Sequence, residues 1–248
     1  MIKFEIKDQI GILTLNRPDK RNSLHPELIS LIKSKLKEIW NSKELRVLII
    51  TGEGKVFCAG ADLSYLKKLS EYSSLANKKD SQDLAEMFKL IYNFPKPTIA
   101  AVNGPAIAGG CGLASACDLI VADEEHAKFG YSEVKIGFIP AIVSVFLLRR
   151  IGEGTVRQLF ITGDLIDSKK AYEVGFVNYL YNNALEGAID VASKLIKNSD
   201  YSMIETKSMI NEISKLSVEQ ALDYCVNLNT ISRSSSDFIK GIESFLKK

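Results

Sequence analysis

An α/β fold with a helical C-terminal region is what this sequence predicts, and three observations predict it. Apolar and polar residues alternate over residues 2–6 and 10–15, the period-2 signature of half-buried strands. Short continuous apolar runs at 47–51 and 98–102 have the pattern of strands buried on both faces, and helical-period segments lie between them. From about residue 142 helical patterns dominate to the end.

Taken in order, the break at Asp8-Gln9-Ile10-Gly11 makes the first two strands a hairpin. Leu28, Leu31, Ile32, Leu36 and Ile39 then recur at helical spacing, ahead of the apolar run at 47–51. A polar stretch over 65–81 precedes an amphipathic segment carrying Leu84, Met87, Phe88 and Ile91. Pro95 and Pro97 stop any helix before the strand at 98–102. Residues 119–122 and 127–130 read as two more short strands flanking a turn. No repeat or low-complexity tract interrupts the chain, and composition shifts too little to place a linker. The expectation is a core over 1–195 and a helical region over 196–248.

The 248 residues are 46% apolar and 25% charged, the composition of an ordinary globular chain. With 32 Lys and Arg against 30 Asp and Glu, interleaved, the sequence carries no basic stripe and is not expected to bind nucleic acid. No apolar run approaches the roughly 18 residues of a membrane span, and no secretory leader pattern opens the chain, so a cytoplasmic protein without membrane association is expected. Cys58, Cys111, Cys117 and Cys225 form no Cys-x-x-Cys pair, and His25 and His126 stand at no metal-ligand spacing. Reduced, packed thiols and no metal are expected.

Two stretches place small residues at helix starts about fifty residues apart. In Gly60-Ala61-Asp62-Leu63, Asp62 is an N-cap candidate, and Gly60 and Ala61 leave backbone N–H groups unshielded. Ala108-Gly109-Gly110-Cys111-Gly112-Leu113 does the same after the Gly104-Pro105 turn. Neither matches a nucleotide phosphate loop. Two donors from two turns, converging on one oxygen, make an oxyanion hole for a thioester carbonyl. Losing one such donor costs about 10² to 10³ in rate.

At these residues the chain resembles the crotonase superfamily of enoyl-CoA hydratases and isomerases. The resemblance is carried by Asn16-Arg17-Pro18, Asn22-Ser23-Leu24, Phe57-Cys58-Ala59-Gly60-Ala61-Asp62-Leu63, Ala101-Val102-Asn103-Gly104, Gly109-Gly110-Cys111, Cys117-Asp118, Ile136-Gly137-Phe138-Ile139-Pro140 and Leu159-Phe160-Ile161-Thr162-Gly163. These occur in family order over about residues 2–180, and Phe238, Gly241, Ile242, Phe245 and Leu246 resemble the family's ending. The resemblance implies a spiral of ββα turns with a helical trimerisation region, assembled as a homotrimer or a dimer of trimers. It implies an acyl-CoA substrate whose carbonyl lies between the N–H groups of Ala61 and Gly109, and no cofactor beyond the coenzyme A that the substrate carries. Lys20, Arg21, Ser23, Leu24, Ala59, Asp62 and Leu63 would then line the coenzyme A.

Most hydratases of this family use two glutamates; here Glu133 matches one, and the other position is Gly112. Three consequences are open. Glu133 alone transfers the proton, with a backbone group such as the Ala141 N–H helping to hold water; or Glu133 shuttles a proton between carbons as an isomerase does; or the protein binds an acyl-CoA without catalysis. The segments around Gly112 and Glu133 look most like a bacterial branch assigned as 3-methylglutaconyl-CoA hydratase, which favours the first. Cys111 and Cys117 are expected to be packing residues, Asp118 to hold loop backbone, and Tyr131, Phe138 and the apolar segment from Ala141 to line or back the acyl pocket.

Overall fold

The hairpin that opens the chain pairs β1 (Ile2–Lys7) antiparallel with β2 (Ile10–Leu15) through a two-residue turn, in which Asp8 and Gln9 have φ of 49° and 67°. Positive φ at both central residues gives the turn whose twist matches the strands. The structure is a computed structural model that describes residues 1–247; Lys248, last in the expected helical region, lies outside them. α1 (Pro26–Glu38) starts with Pro26 at its first position and His25 at the N-cap. There follow β3 (Val47–Gly52), α2 (Leu63–Leu69), α3 (Ser74–Tyr92), β4 (Thr98–Val102), β5 (Ala106–Ile107), α4 (Gly109–Ser115), β6 (Leu119–Asp123) and β7 (Lys128–Gly130). A 3₁₀ turn at Ser132–Ile136 leads to α5 (Ala141–Leu147), α6 (Glu153–Thr162), β8 (Leu165–Asp167), α7 (Ser168–Glu173), β9 (Tyr179–Tyr181) and α8 (Ala184–Leu195). α9 (Asp200–Ile213), α10 (Val218–Ser232) and α11 (Ser236–Leu246) complete the described chain.

Six strands form one sheet in the order β1-β2-β3-β4-β6-β9, parallel from β2 onward. Both faces are covered, which is why β3 and β4 are continuous apolar runs. Val47, Ile49, Ile99, Ala101 and Val121 meet Ala184, Ala188 and Val191 of α8 on one face. Leu48, Ile50, Ala100, Val102 and Ile120 point the other way, into the larger core with Leu28, Ile32, Leu36, Met87, Phe88 and Leu113. A second sheet, β5-β7-β8, stands beside it, so the two strands expected at 119–122 and 127–130 belong to different sheets.

Where the sequence showed only a polar stretch at 65–81, the chain is helical in α2 and the start of α3. Apolar periodicity marks only helices that bury a face, and α2 buries no residue while α3 buries only Met87, Phe88 and Ile91. The three-residue strands β8 and β9 are too short to show alternation at all.

No residue of α9 or α10 is buried. α9 is tied to the core edge by polar groups. The Asp118 carboxylate accepts from the Thr98 N–H at 2.7 Å, the Thr98 hydroxyl at 2.9 Å and Lys207 Nζ at 2.7 Å. Lys96 pairs with Asp200 at 2.7 Å. Asp118 thus holds backbone, as expected. Replacing it with Ala leaves the Thr98 donors and Lys207 without their acceptor, and urea unfolding should show a loss of about 2 kcal/mol. Lys207→Met should lose less than that, and should speed proteolysis within α9.

Candidate active site

Residues 58–62 run as a ribbon between two neighbouring segments. On one side the Leu24 N–H donates to Gly60 O at 2.7 Å and the Asp62 N–H to Leu24 O at 2.9 Å; on the other, the Cys58 N–H donates to Pro105 O at 3.2 Å and the Ile107 N–H to Cys58 O at 2.9 Å. Leu24 bridges to Ala61 in parallel fashion, so it bonds the residues on either side and the Ala61 N–H points away from it. That direction is the side of the 105–109 segment. Gly60 lies against it: with φ +82°, a Cβ at Gly60 would come 2.8 Å from Ile107 O and 3.4 Å from the Gly109 nitrogen. The bare backbone therefore brings the two small-residue turns into contact. Neither the Ala61 N–H nor the Gly109 N–H has an acceptor among the described residues. Gly109, first residue of α4, is one of the helix-start donors that α geometry leaves free.

Ala108, which directs the Gly109 N–H, has φ 52° and ψ −117°, a conformation rare for a residue with a side chain. Its N–H donates to Gly130 O at 2.8 Å, which joins this turn to β7 and so to the segment of Glu133, three residues on. Cys111 adds a second tie, its thiol donating to Ala106 O at 2.8 Å and accepting from the Gly130 N–H at 3.3 Å. No sequence signal marked either residue for this task.

Glu133 sits in the 3₁₀ turn, which closes when the Phe138 N–H donates to Glu133 O at 3.0 Å and Gly137 takes φ 74°. Glu133 is 7% exposed, and its Oε2 is buried with no donor among the described residues. Burial raises its pKa above the ordinary carboxylate value, and its own backbone N–H only partly offsets this. A buried carboxylate with an unpartnered oxygen and a raised pKa is a candidate for proton transfer.

The family model described as "Enoyl-CoA hydratase/isomerase" matches residues 5–248. The chain belongs to this family. It is similar to a protein of Thermus thermophilus named "Putative enoyl-CoA hydratase", with 39% identity over 250 residues, covering 100% of this chain and 98% of that one. It is 31% identical to the "Crotonyl-CoA hydratase" of Syntrophomonas wolfei, covering 100% and 95%. Among solved structures, an enoyl-CoA hydratase from Polaromonas sp. JS666 superposes with a TM-score of 0.94 at 32% identity, over 99% of this chain and 96% of that one. The crotonase fold expected from the resemblance is therefore present, and the chain is an enzyme of the hydratase-type lyase class.

Within this hydratase frame the residues expected to line coenzyme A divide into two sets. Lys20 and Arg21 are exposed, Arg21 at φ 52°, and Arg21 O accepts the Ala59 N–H at 3.0 Å, which places the 20–21 turn beside Ala59. Leu63 is 72% exposed at the head of α2. Leu24, by contrast, is buried, and Ser23 and Asp62 turn inward. Asp62 caps α2, accepting from the Ser64 N–H at 3.1 Å and the Ser64 hydroxyl at 2.6 Å. Arg17 Nη2 approaches it at 3.3 Å, and Arg17 Nη1 donates to Ser23 O at 2.7 Å. Asn22, fully buried at φ 54°, donates to Glu53 O at 3.0 Å and Val56 O at 2.7 Å. Arg17 and Asn22, quoted in the sequence only as motif letters, are the frame of this loop.

Other expectations meet mixed outcomes. The Ala141 N–H donates to Ile139 O at 2.8 Å, so the donor offered to a water is already engaged. Tyr131 is a core residue, 1% exposed and 3.2 Å from the Ser115 hydroxyl, whereas Phe138 is 58% exposed. All four cysteines are free; Cys58, Cys111 and Cys117 are buried, and burial pushes Cys58 and Cys117 up to about 12. Packing, not nucleophilic chemistry, is their part.

The Ser64 hydroxyl, followed by Arg17, holds the Asp62 pKa down to about 2. A carboxylate with a lowered folded pKa contributes stability that is present above its unfolded value of about 3.9 and is lost as pH falls toward the folded one. Thermal unfolding followed from pH 6 to pH 2 should show Asp62→Asn losing less stability than the parent across that acid window. At neutral pH, Asp62→Ala should be about 1 to 2 kcal/mol less stable than the parent.

Proposed function

We propose that this enzyme adds water across the α,β double bond of an enoyl-CoA thioester, or removes it, with Glu133 as its single proton-transferring side chain. The observation that carries this is the buried, unpartnered Oε2 of Glu133, three residues past Gly130, whose carbonyl accepts from the Ala108 N–H of the turn that meets Gly60. The Ala61 and Gly109 N–H groups donate to the thioester oxygen. Ionised Glu133 takes a proton from water as the water oxygen bonds to the β-carbon. The double-bond electrons pass to the α-carbon and the carbonyl oxygen, where the two donors stabilise the enolate, and Glu133 returns a proton to the α-carbon. Water is thereby added with nothing left over.

The exposed Lys20 and Arg21 offset the phosphate charge of coenzyme A, with Ala59 and Leu63 beside them. Ser23, Leu24 and Asp62 act indirectly, by fixing the ribbon that presents Ala61. The motifs around Gly112 and Glu133 favour 3-methylglutaconyl-CoA as substrate. No second carboxylate reaches the site from α4 or α5, and this also supports double-bond isomerisation as the second reading, since moving a proton between carbons needs one base. We further place the enzyme in the cytoplasm, where free thiols persist, as a core over 1–195 with a helical region over 196–248. That region presents exposed Leu222, Val226, Phe238 and Ile242 to neighbouring copies in a homotrimer or dimer of trimers.

Purified protein should turn over one of crotonyl-CoA, 3-methylglutaconyl-CoA and a 3-enoyl-CoA, and product identity separates hydration from isomerisation. Glu133→Gln should lose about 10² or more in kcat while KM changes little. Because the reaction starts from ionised Glu133 and burial raises its pKa, hydration should fall as pH drops through a value above the usual carboxylate range of about 4.3. Full activity in Glu133→Gln contradicts the assignment.

A further inference from the structure

Position 112 is closed from two sides. A Cβ at Gly112 would overlap Val143 Cγ1 and lie 3.0 Å from Val143 Cβ and 3.2 Å from the Phe88 ring. Val143 is β-branched, 4% exposed and in the middle of α5, where its one favoured rotamer leaves it no room to swing aside. Phe88 is fully buried on α3, its ring 5.8 Å from that of Phe146 on α5. α4 therefore meets a wall supplied by two other helices. Gly112 stands three residues, about one turn, beyond Gly109 in α4.

The carboxylates nearest in sequence to the site are committed elsewhere: Asp62 to Ser64 and Arg17, Asp118 to Thr98 and Lys207. Glu133 keeps a buried oxygen with no hydrogen-bond partner among the described residues; Asp200 Oδ1 also lacks one, but its carboxylate pairs with Lys96 through the other oxygen.

We infer that Val143 is a positioning residue that holds this site to one carboxylate, because its Cγ1 occupies the volume through which a side chain at 112 would pass on its way to the substrate. Gly112 and Val143 then act as one unit: a side chain can enter at 112 only when 143 becomes smaller. The inference rests on the hydratase reading for its catalytic consequence, but its packing consequence stands independently. A carboxylate cannot be added at 112 alone; it requires truncation at 143.

The test uses Gly112→Ala, Val143→Ala and the double variant, with Gly112→Glu alone and combined with Val143→Ala. Gly112→Ala should lower Tm by about 5 °C or more, the size of effect expected of overpacking in a chain of this length. The Ala–Ala double variant should melt about 5 °C or more above the sum of the two single losses, because Val143→Ala removes the Cγ1 that a Cβ at 112 would overlap. Gly112→Glu alone should be less stable still, and its combination with Val143→Ala should recover. With the better of crotonyl-CoA and 3-methylglutaconyl-CoA, the recovered Glu–Ala variant should show one more ionisation in its pH profile of kcat/KM than Val143→Ala does. A merely structural residue would not produce that change. Additive Tm losses, a Gly112→Glu protein as stable as the parent, or a folded Glu–Ala variant with an unchanged pH profile each overturn the inference. A parent enzyme that hydrates neither thioester overturns the hydratase reading instead, and the Tm comparison then decides the packing unit by itself.

Discussion

Two turns nearly fifty residues apart can lie side by side only if the backbone between them is bare, and Gly60 supplies that. Any side chain there would stand 2.8 Å from Ile107 O, inside van der Waals contact, and would do so at φ +82°, where side chains are disfavoured. The rest of the site depends on this approach. The ribbon 58–62 hydrogen-bonds to Leu24 on one side and to Pro105 and Ile107 on the other, and the Ala108 N–H carries the chain of bonds on to Gly130. Glu133 is placed by the last link. The donors of Ala61 and Gly109 and the carboxylate of Glu133 thus come from three separate segments held by one continuous set of backbone bonds.

Charge is handled by a division of labour that follows from burial. Carboxylates that fix the fold have partners: Asp62 has Ser64 and Arg17, and Asp118 has Thr98 and Lys207. Glu133, which we propose for the chemistry, has no side-chain partner for its buried oxygen among the described residues. An unpartnered buried oxygen is unfavourable to folding and useful to a proton transfer, because desolvation brings the pKa of Glu133 toward the working pH. Ala108, in its unusual conformation at the head of α4, is a second such local concession at the same place.

Much of this was legible in the sequence, and the reasons differ by element. The hairpin, β3 and β4 showed because period-2 patterns and short apolar runs directly record burial. The N-cap at Asp62 and the two small-residue turns were legible from residue type, and the ordered motifs supplied the proposal for Glu133 and the missing acid. What stayed hidden was everything set by packing between distant segments. α2 and the first turns of α3 bury nothing, so they left no apolar period. The inward turn of Asp62 depends on Arg17 reaching it from the loop that also holds Ser23. That the Ala141 N–H is taken by Ile139 O is a matter of one turn's geometry, invisible in residue types. The closure of position 112 needs α3, α4 and α5 all in place.

The central claim is that the Ala61 and Gly109 N–H groups converge on one thioester oxygen and polarise it. Donation to a carbonyl oxygen weakens the C=O bond, so the most direct measurement is the infrared or Raman carbonyl stretch of an acyl-CoA thioester bound to the protein. The account predicts a stretch shifted to lower frequency than in water, by the same amount in the parent and in Glu133→Gln, since the shift arises from backbone and not from the carboxylate. A bound thioester whose carbonyl stretch stays at its aqueous frequency would contradict it.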